Sequence, residues 1–205
     1  MTNAMAFMAA APMRTVRPRM LRGVYANPEK ELVRLAGTGR LTRIARGTYV
    51  VRPDRLQPGD FWQPGTEAAA MAYATAAFGE RVPVLCGISA ARFWHAIPRA
   101  IGVATVAAPT AHQPVALNRG RIVFARRDTD ALDVTEGHTE LGTIRVTTPE
   151  QTLIDLVADP GQGDMPQEVP GAIRALAYMV DPGRIERMLG QVDGTTAQKV
   201  REALR

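Results

Sequence analysis

Between Asn27 and Val51 a capped helix runs directly into two β-type runs split by a glycine, and this order constrains the fold more than any other part of the chain. Asn27 is a strong N-cap residue, Pro28 suits the first helical position, and Glu29 and Glu31 favour the helix dipole. Leu32, Leu35 and Ala36 fall on one face, with Lys30, Arg34 and Gly37 largely on another, and the helix is predicted to stop near Gly37 or Gly39. Leu41, Arg43 and Ala45 then alternate with Thr42, Ile44 and Arg46, before Gly47 interrupts and Thr48 to Val51 supply β-favouring residues. This predicts a two-stranded hairpin with Arg46 and Gly47 at its tip.

Upstream, Pro18 suits the first turn of a short helix that Gly23 ends, and the Ala/Met-rich N-terminus supplies a further helix. Helix, glycine turn, helix and hairpin is the order of a winged helix-turn-helix. Charge supports it. Of the 205 residues, the first 58 hold eleven basic side chains against three acidic ones, a net +8, while the other 147 net −3. A basic head on a slightly acidic body is the asymmetry of a polyanion-binding module joined to something else.

Other classes are excluded by what the sequence lacks. The one cysteine, Cys86, rules out an intrachain disulfide and any multi-thiolate metal site, and fits a reducing cytoplasm. No apolar run approaches the ~20 residues that cross a bilayer, and the longest candidate, Thr66 to Gly79, contains Glu67. MTNAMAFMAAAPM has no basic n-region and is broken by Pro12, so no secretory signal is expected.

Pro53, Pro58, Gly59, Pro64 and Gly65 mark a connection, giving three expected units: a winged head over 1–58, an α+β body over 66–159 and a helical extension over 160–205. In the body, Thr66 and Glu67 open an alanine-rich helix ending near Gly79, VPVLCG is a short buried strand, and Ser89 is expected to cap the helix SAARFWHAI. Strands are expected at Val103 to Ala107, Arg121 to Ala125 and Thr143 to Thr147, followed by a helix capped by Thr148. Short helices over 170–180, 182–189 and 196–204 close the chain.

The catalytic inventory is thin. His95, beside Trp94 on an apolar helix, reads as a packed core residue, and His112 and His138 lack metal-ligand spacing. Cys86 in an apolar strand reads as buried and inert, and no Gly-x-Ser-x-Gly or phosphate-cradling glycine motif occurs. Asp128, Asp130 and Asp133 make the best enzyme-like cluster, read here as a solvated loop rather than a Mg²⁺ site. The expectation is a non-enzyme without metal or cofactor. Its DNA contacts would come from Asn27, Lys30 and Arg34 on the recognition helix, Arg17, Arg19 and Arg22 flanking the preceding helix, Arg43 and Arg46 on the wing, and Arg40 beside them.

The hairpin text GRLTRIARGTYVV resembles the wing of AbiEi-type antitoxins. LCGISAARFWHAI, VATVAAP, RIVFARR and VTTPEQTLIDL follow in the order of that family's C-terminal antitoxin domain, so the resemblance spans about Thr15 to Asp159. It implies a cytoplasmic antitoxin that neutralises a nucleotidyltransferase-fold toxin encoded beside it and represses their shared promoter through inverted repeats. The arginine and alanine bias fits a mycobacterial member paired with a MenT-type toxin. On this chain the family's DNA-contact role falls on Asn27, Lys30, Arg34, Arg43 and Arg46, and the toxin-contact role on the basic strand with Arg119, Arg121, Arg126 and Arg127.

The helices ahead of the wing are compressed relative to that family, and the segment after Asp159 has no counterpart pattern. Two other readings compete: a DNA-binding regulator whose body senses a small ligand, and a relative of Vsr-like nucleases. The nuclease would require an acidic residue followed by a Glu-x-Lys-type pair on a β-sheet, and the 46 residues after Asp159 contain neither that motif nor strand-like runs.

Overall fold

The structure is a computed structural model that describes residues 2–54, 56 and 60–205; Arg55 and the expected head boundary at Pro58 lie outside the described residues. The head begins with α1 (Thr2–Ala9), a 3₁₀ turn at Pro12–Arg14 and β1 (Thr15–Val16). A second 3₁₀ turn, Pro18–Leu21, stands where a short helix was expected, and α2 (Pro28–Gly37), β2 (Leu41–Ala45) and β3 (Thr48–Val51) follow. Asn27 caps α2 as expected, its side chain accepting the Lys30 backbone N–H at 3.0 Å. The strands pair antiparallel in the order β1-β3-β2, with Thr15 opposite Val50 and Thr42 also opposite Val50. Met8, Val16, Leu21, Leu32, Leu35, Leu41, Tyr49 and Val51 close a small core between α1, α2 and one face of this sheet.

The opposite face of the hairpin is not left to solvent. Ile44, Ala45 and Val50 join a second core together with Ala68, Ala69, Ala70, Met71, Ala72 and Ala74 of α3 (Thr66–Phe78). An alanine-rich helix is suited to this position, because short side chains let two sheets approach it closely from opposite sides. Its last turns are tied back to the head: Arg17 Nη2 donates to the Tyr73 carbonyl at 3.2 Å and Arg19 Nη2 to the Ala76 carbonyl at 2.8 Å. The Ala76 carbonyl lies in the last turn, where carbonyls lack intrahelical partners, so a cation there satisfies an orphan acceptor and complements the dipole.

Beyond α3 lies a six-stranded mixed sheet, in the order β6-β7-β5-β4-β9-β8. It comprises β4 (Val84–Leu85), β5 (Val103–Ala108), β6 (Val115–Ala116), β7 (Arg121–Arg126), β8 (Val134–Thr139) and β9 (Gly142–Thr147). Strands β5 and β7 run parallel, as do β4 and β9, whereas β4 with β5, β6 with β7 and β8 with β9 are antiparallel. Ala104 and Val106 of β5 face the α3 core. Between them Thr105 points to the other side, where α4 (Gly87–Phe93), α5 (Pro149–Ala158), α6 (Val169–Ala177), α7 (Pro182–Leu189) and α8 (Gly194–Ala203) pack. Leu153 and Leu156 of α5 share one core with Leu176, Ile185, Leu189 and Val200, so the three C-terminal helices complete the body rather than trail from it.

Three local expectations change. Ser89 does not cap α4, whose N-cap is Cys86; its fully buried hydroxyl accepts the Thr105 backbone N–H at 2.8 Å and pins the helix to β5. His95 is exposed with a left-handed φ of 61°, because α4 ends at Phe93 and the chain turns there rather than continuing the apolar helix. Strand β8, VTEGHT, was not anticipated: it is an edge strand with mostly polar, exposed side chains, and so carries no apolar alternation.

Candidate nucleic-acid interface

Helix α2 buries Pro28, Leu32 and Leu35 and turns Glu29, Lys30, Val33, Arg34 and Gly37 outward. Lys30, Val33, Arg34 and Gly37 follow helical spacing and therefore make one stripe. Val33 is 61 % exposed. The sequence did not single it out, since one exposed valine carries no signal until the buried face of the helix is known. Arg34 is held by a two-pronged bond to Glu31 one turn earlier, Nε at 2.9 Å and Nη2 at 2.7 Å, which lowers the Glu31 carboxyl below its usual range. The pairing orients the guanidinium along the helix surface. Tyr25, Ala26, Asn27, Lys30, Glu31 and Arg34 line a shallow hollow of about 310 Å³.

The remaining predicted cations divide. Arg40 lines a wider open cleft with Arg34 and Arg52, while Arg22 is exposed at the bridge to Tyr25 that precedes α2. Arg43 bends its Nε back to the Ala45 carbonyl at 3.3 Å, and Arg46 stands exposed at the hairpin tip. Arg17 and Arg19 are instead engaged with α3. The Arg17 guanidinium lies 4.6 Å from the Tyr73 ring centre, and burial depresses its pKa. These two cations hold the head to the body, a use that sequence spacing cannot distinguish from phosphate contact.

The four arginines around β7 do not gather on one surface. Arg121 pairs with Asp164, and Arg127 pairs with the buried Asp155 at 2.9 Å, so both are engaged within the fold. Arg121 and Arg126 lie five residues apart on one strand and so point to opposite faces of the sheet. Arg126 is exposed, and Arg119 is exposed with its guanidinium 5.4 Å from the Phe61 ring centre.

The acidic cluster proves structural. Asp133 accepts from Arg184 and from the Thr148 hydroxyl, both at 2.6 Å, and Asp128 accepts the Asp130 backbone N–H at 3.1 Å in a local turn. Among the described residues no group of three or more His, Cys, Asp or Glu is placed to hold a metal, and no helix is long and apolar enough to cross a membrane. Cys86 is fully buried, which pushes its thiol pKa far up and leaves it no thiolate character. His112 packs against Phe124 at 4.6 Å and Phe78 at 5.7 Å between ring centres.

Comparison with known proteins agrees with this architecture. Curated protein sequences give no match. Among solved structures, the RV2827C protein from Mycobacterium tuberculosis superposes with a TM-score of 0.62 at 16 % identity, over 99 % of this chain and 75 % of that one. At that identity the likeness is one of fold, and it extends through head and body alike. The model of the AbiEi antitoxin C-terminal domain matches residues 83–205, a span that runs from β4 through α8 and takes in the three closing helices. With more than half of its length matched, the chain belongs to the AbiEi antitoxin family.

Proposed function

We propose that this chain is the antitoxin of a bacterial toxin–antitoxin pair, that its head is a winged helix-turn-helix reading promoter DNA to repress its own operon, and that its body neutralises a nucleotidyltransferase-fold toxin. The observation that carries the DNA half is the outward stripe of α2. A helix that is capped at Asn27, packed by Leu32 and Leu35 and open along Lys30, Val33 and Arg34 precedes a hairpin with Arg46 at its tip. In the major groove, cations of such a helix meet phosphates and base edges, and an exposed valine meets a thymine methyl. Arg22, Arg40 and Arg43 lie exposed at its borders.

Family membership supports the antitoxin half. We assign toxin contact to the body, where Arg126 is exposed and makes no ion pair among the described residues. The binding reading is tested by titrating full-length protein with a duplex covering the stretch upstream of its gene over a range of salt. About six phosphate contacts give a log–log slope near −5, with tighter binding than to an unrelated duplex. Equal affinity for both duplexes would remove the promoter reading. Co-expression with the neighbouring gene tests the other half: rescue of growth supports an antitoxin, and its failure refutes one.

A further inference from the structure

We propose that the wing is built from two parts of the chain, Arg46 at the β2–β3 turn and Arg119 in the β6–β7 turn, which together clamp the phosphodiester backbone beside the site of α2. This rests on the head being the DNA-binding part and adds to it a contact from the body.

The hairpin tip is short, only Arg46 and Gly47 between the two strands. Its outer edge is occupied by the body. Ala45 forms an antiparallel bridge with Leu117, the Asn118 backbone N–H donates to the Ile44 carbonyl at 2.8 Å, and Asn118 Nδ2 donates to the Arg43 carbonyl. Leu117 is buried in the same core as Ile44 and Ala45. Residues 117–118 thus continue the small sheet beyond β2, and the next residue is Arg119.

The turn carrying Arg119 is also stiff. The Leu117 N–H donates to the Gly120 carbonyl at 2.9 Å and the Arg121 N–H to the Gly102 carbonyl at 2.9 Å, and Gly120, with φ +84°, sits so close to Gly102 that a Cβ would lie 2.2 Å from its carbonyl oxygen. Arg119 makes no ion pair among the described residues. It rests against Phe61, which is itself 79 % exposed. A guanidinium resting against an aromatic ring can still present N–H donors to a phosphate oxygen. Arg43, Arg46 and Arg119 are therefore three exposed cations on one continuous edge. None of the three pairs with a carboxylate among the described residues. The chemistry that edge fits is a polyphosphate strand of duplex DNA, contacted without regard to base sequence.

Full-length R119A is compared with wild type and with the double variant K30A/R34A by fluorescence anisotropy, on the upstream duplex and on an unrelated duplex, across a salt series. R119A is expected to weaken binding to both duplexes about 3–10-fold and to reduce the salt slope by about 1, with an unchanged Tm. R119K, which keeps the charge, is expected to restore the slope, whereas K30A/R34A loses preference for the upstream duplex. If R119A leaves the slope unchanged while K30A/R34A loses preference, the two-part wing is wrong and the DNA-binding head stands. If wild type shows no preference and K30A/R34A binds as wild type does, the head reading falls and takes the wing with it. A lowered Tm that R119K does not repair, or weakened toxin binding with normal DNA binding, would make Arg119 a structural or toxin-facing residue and overturn the proposal.

Discussion

Asp155 on α5 accepts from Arg127 Nη1 at 2.9 Å and from Gln151 Nε2 at 2.9 Å through the same oxygen, leaving its second carboxylate oxygen buried with no hydrogen-bond partner among the described residues. Burial raises the carboxyl above its ordinary value of 3.8, and Arg127 offsets this only in part. The folded protein therefore holds this proton more tightly than the unfolded chain does. The stability it contributes is present at low pH and is lost as pH rises through the folded pKa. Buried Glu67, paired with Arg92 at 3.3 Å, is raised by the same cause and acts in the same direction. Melting temperatures between about pH 4 and pH 7 should fall more steeply with rising pH for wild type than for D155N. Superimposable profiles would refute this. Truncation to alanine should cost about 2 kcal/mol, less than the ~3–5 kcal/mol of a fully buried pair, because Arg127 retains partial access to water.

Asn27 serves α2 first as a cap. N27A should lower stability by about 1 kcal/mol and weaken DNA binding, since the first turn carrying Lys30 frays with it. N27D and N27S keep an acceptor for the Lys30 N–H and should recover the Tm. If either also recovers binding, Asn27 acts through the helix and not through a base. Chemical denaturation read beside anisotropy separates the two effects.

Replacing Val33 tests the reading of α2 from its apolar side. Because the side chain is exposed, V33A should change stability by no more than about 0.5 kcal/mol. Its effect should appear as relaxed preference at one thymine of the operator, at a cost on the order of 1 kcal/mol. A panel of operators with single substitutions provides the measurement, and an unchanged panel would take Val33 out of the interface.

The closing helices should prove inseparable from the body. Leu176 is fully buried in the core that α5 shares with α6, α7 and α8, so L176A should cost about 2–5 kcal/mol. A chain ended after Asp159 would expose Leu153 and Ile154 and should lose cooperative unfolding and toxin neutralisation together. Retention of a sharp melt by that truncation would show that the helices are an independent appendage.

Much of this was legible in the sequence wherever local chemistry and tertiary position agree. The caps at Asn27 and Thr148 and the apolar runs of β5, β7 and β9 were visible, as were the proline and glycine punctuation around α3 and the closing helices. What escaped was decided at long range. Arg17 and Arg19 look like any exposed cations until the carbonyls of α3, more than fifty residues away, are brought to them. Ser89 looks like a cap until β5 presents the Thr105 N–H. The alternation of β2 puts one arginine on each face and so marks neither as wet; that α3 and the β6–β7 turn bury the face away from α2 could not be read from period alone. For the interface, the sequence named the cations of α2 and the hairpin without indicating which were spent on packing.

The burial of the β2–β3 hairpin on both faces bears on how such proteins can be recombined. A head exchanged between two family members at the Pro53 to Gly65 connection would bring Ile44, Ala45 and Val50 to an α3 and a β6–β7 turn that had not been selected to receive them. On the proposed reading of the head, operator specificity therefore could not be transplanted as a cassette. A graft that respects the molecule would change only the outward stripe of α2 and leave the seam with its original partners.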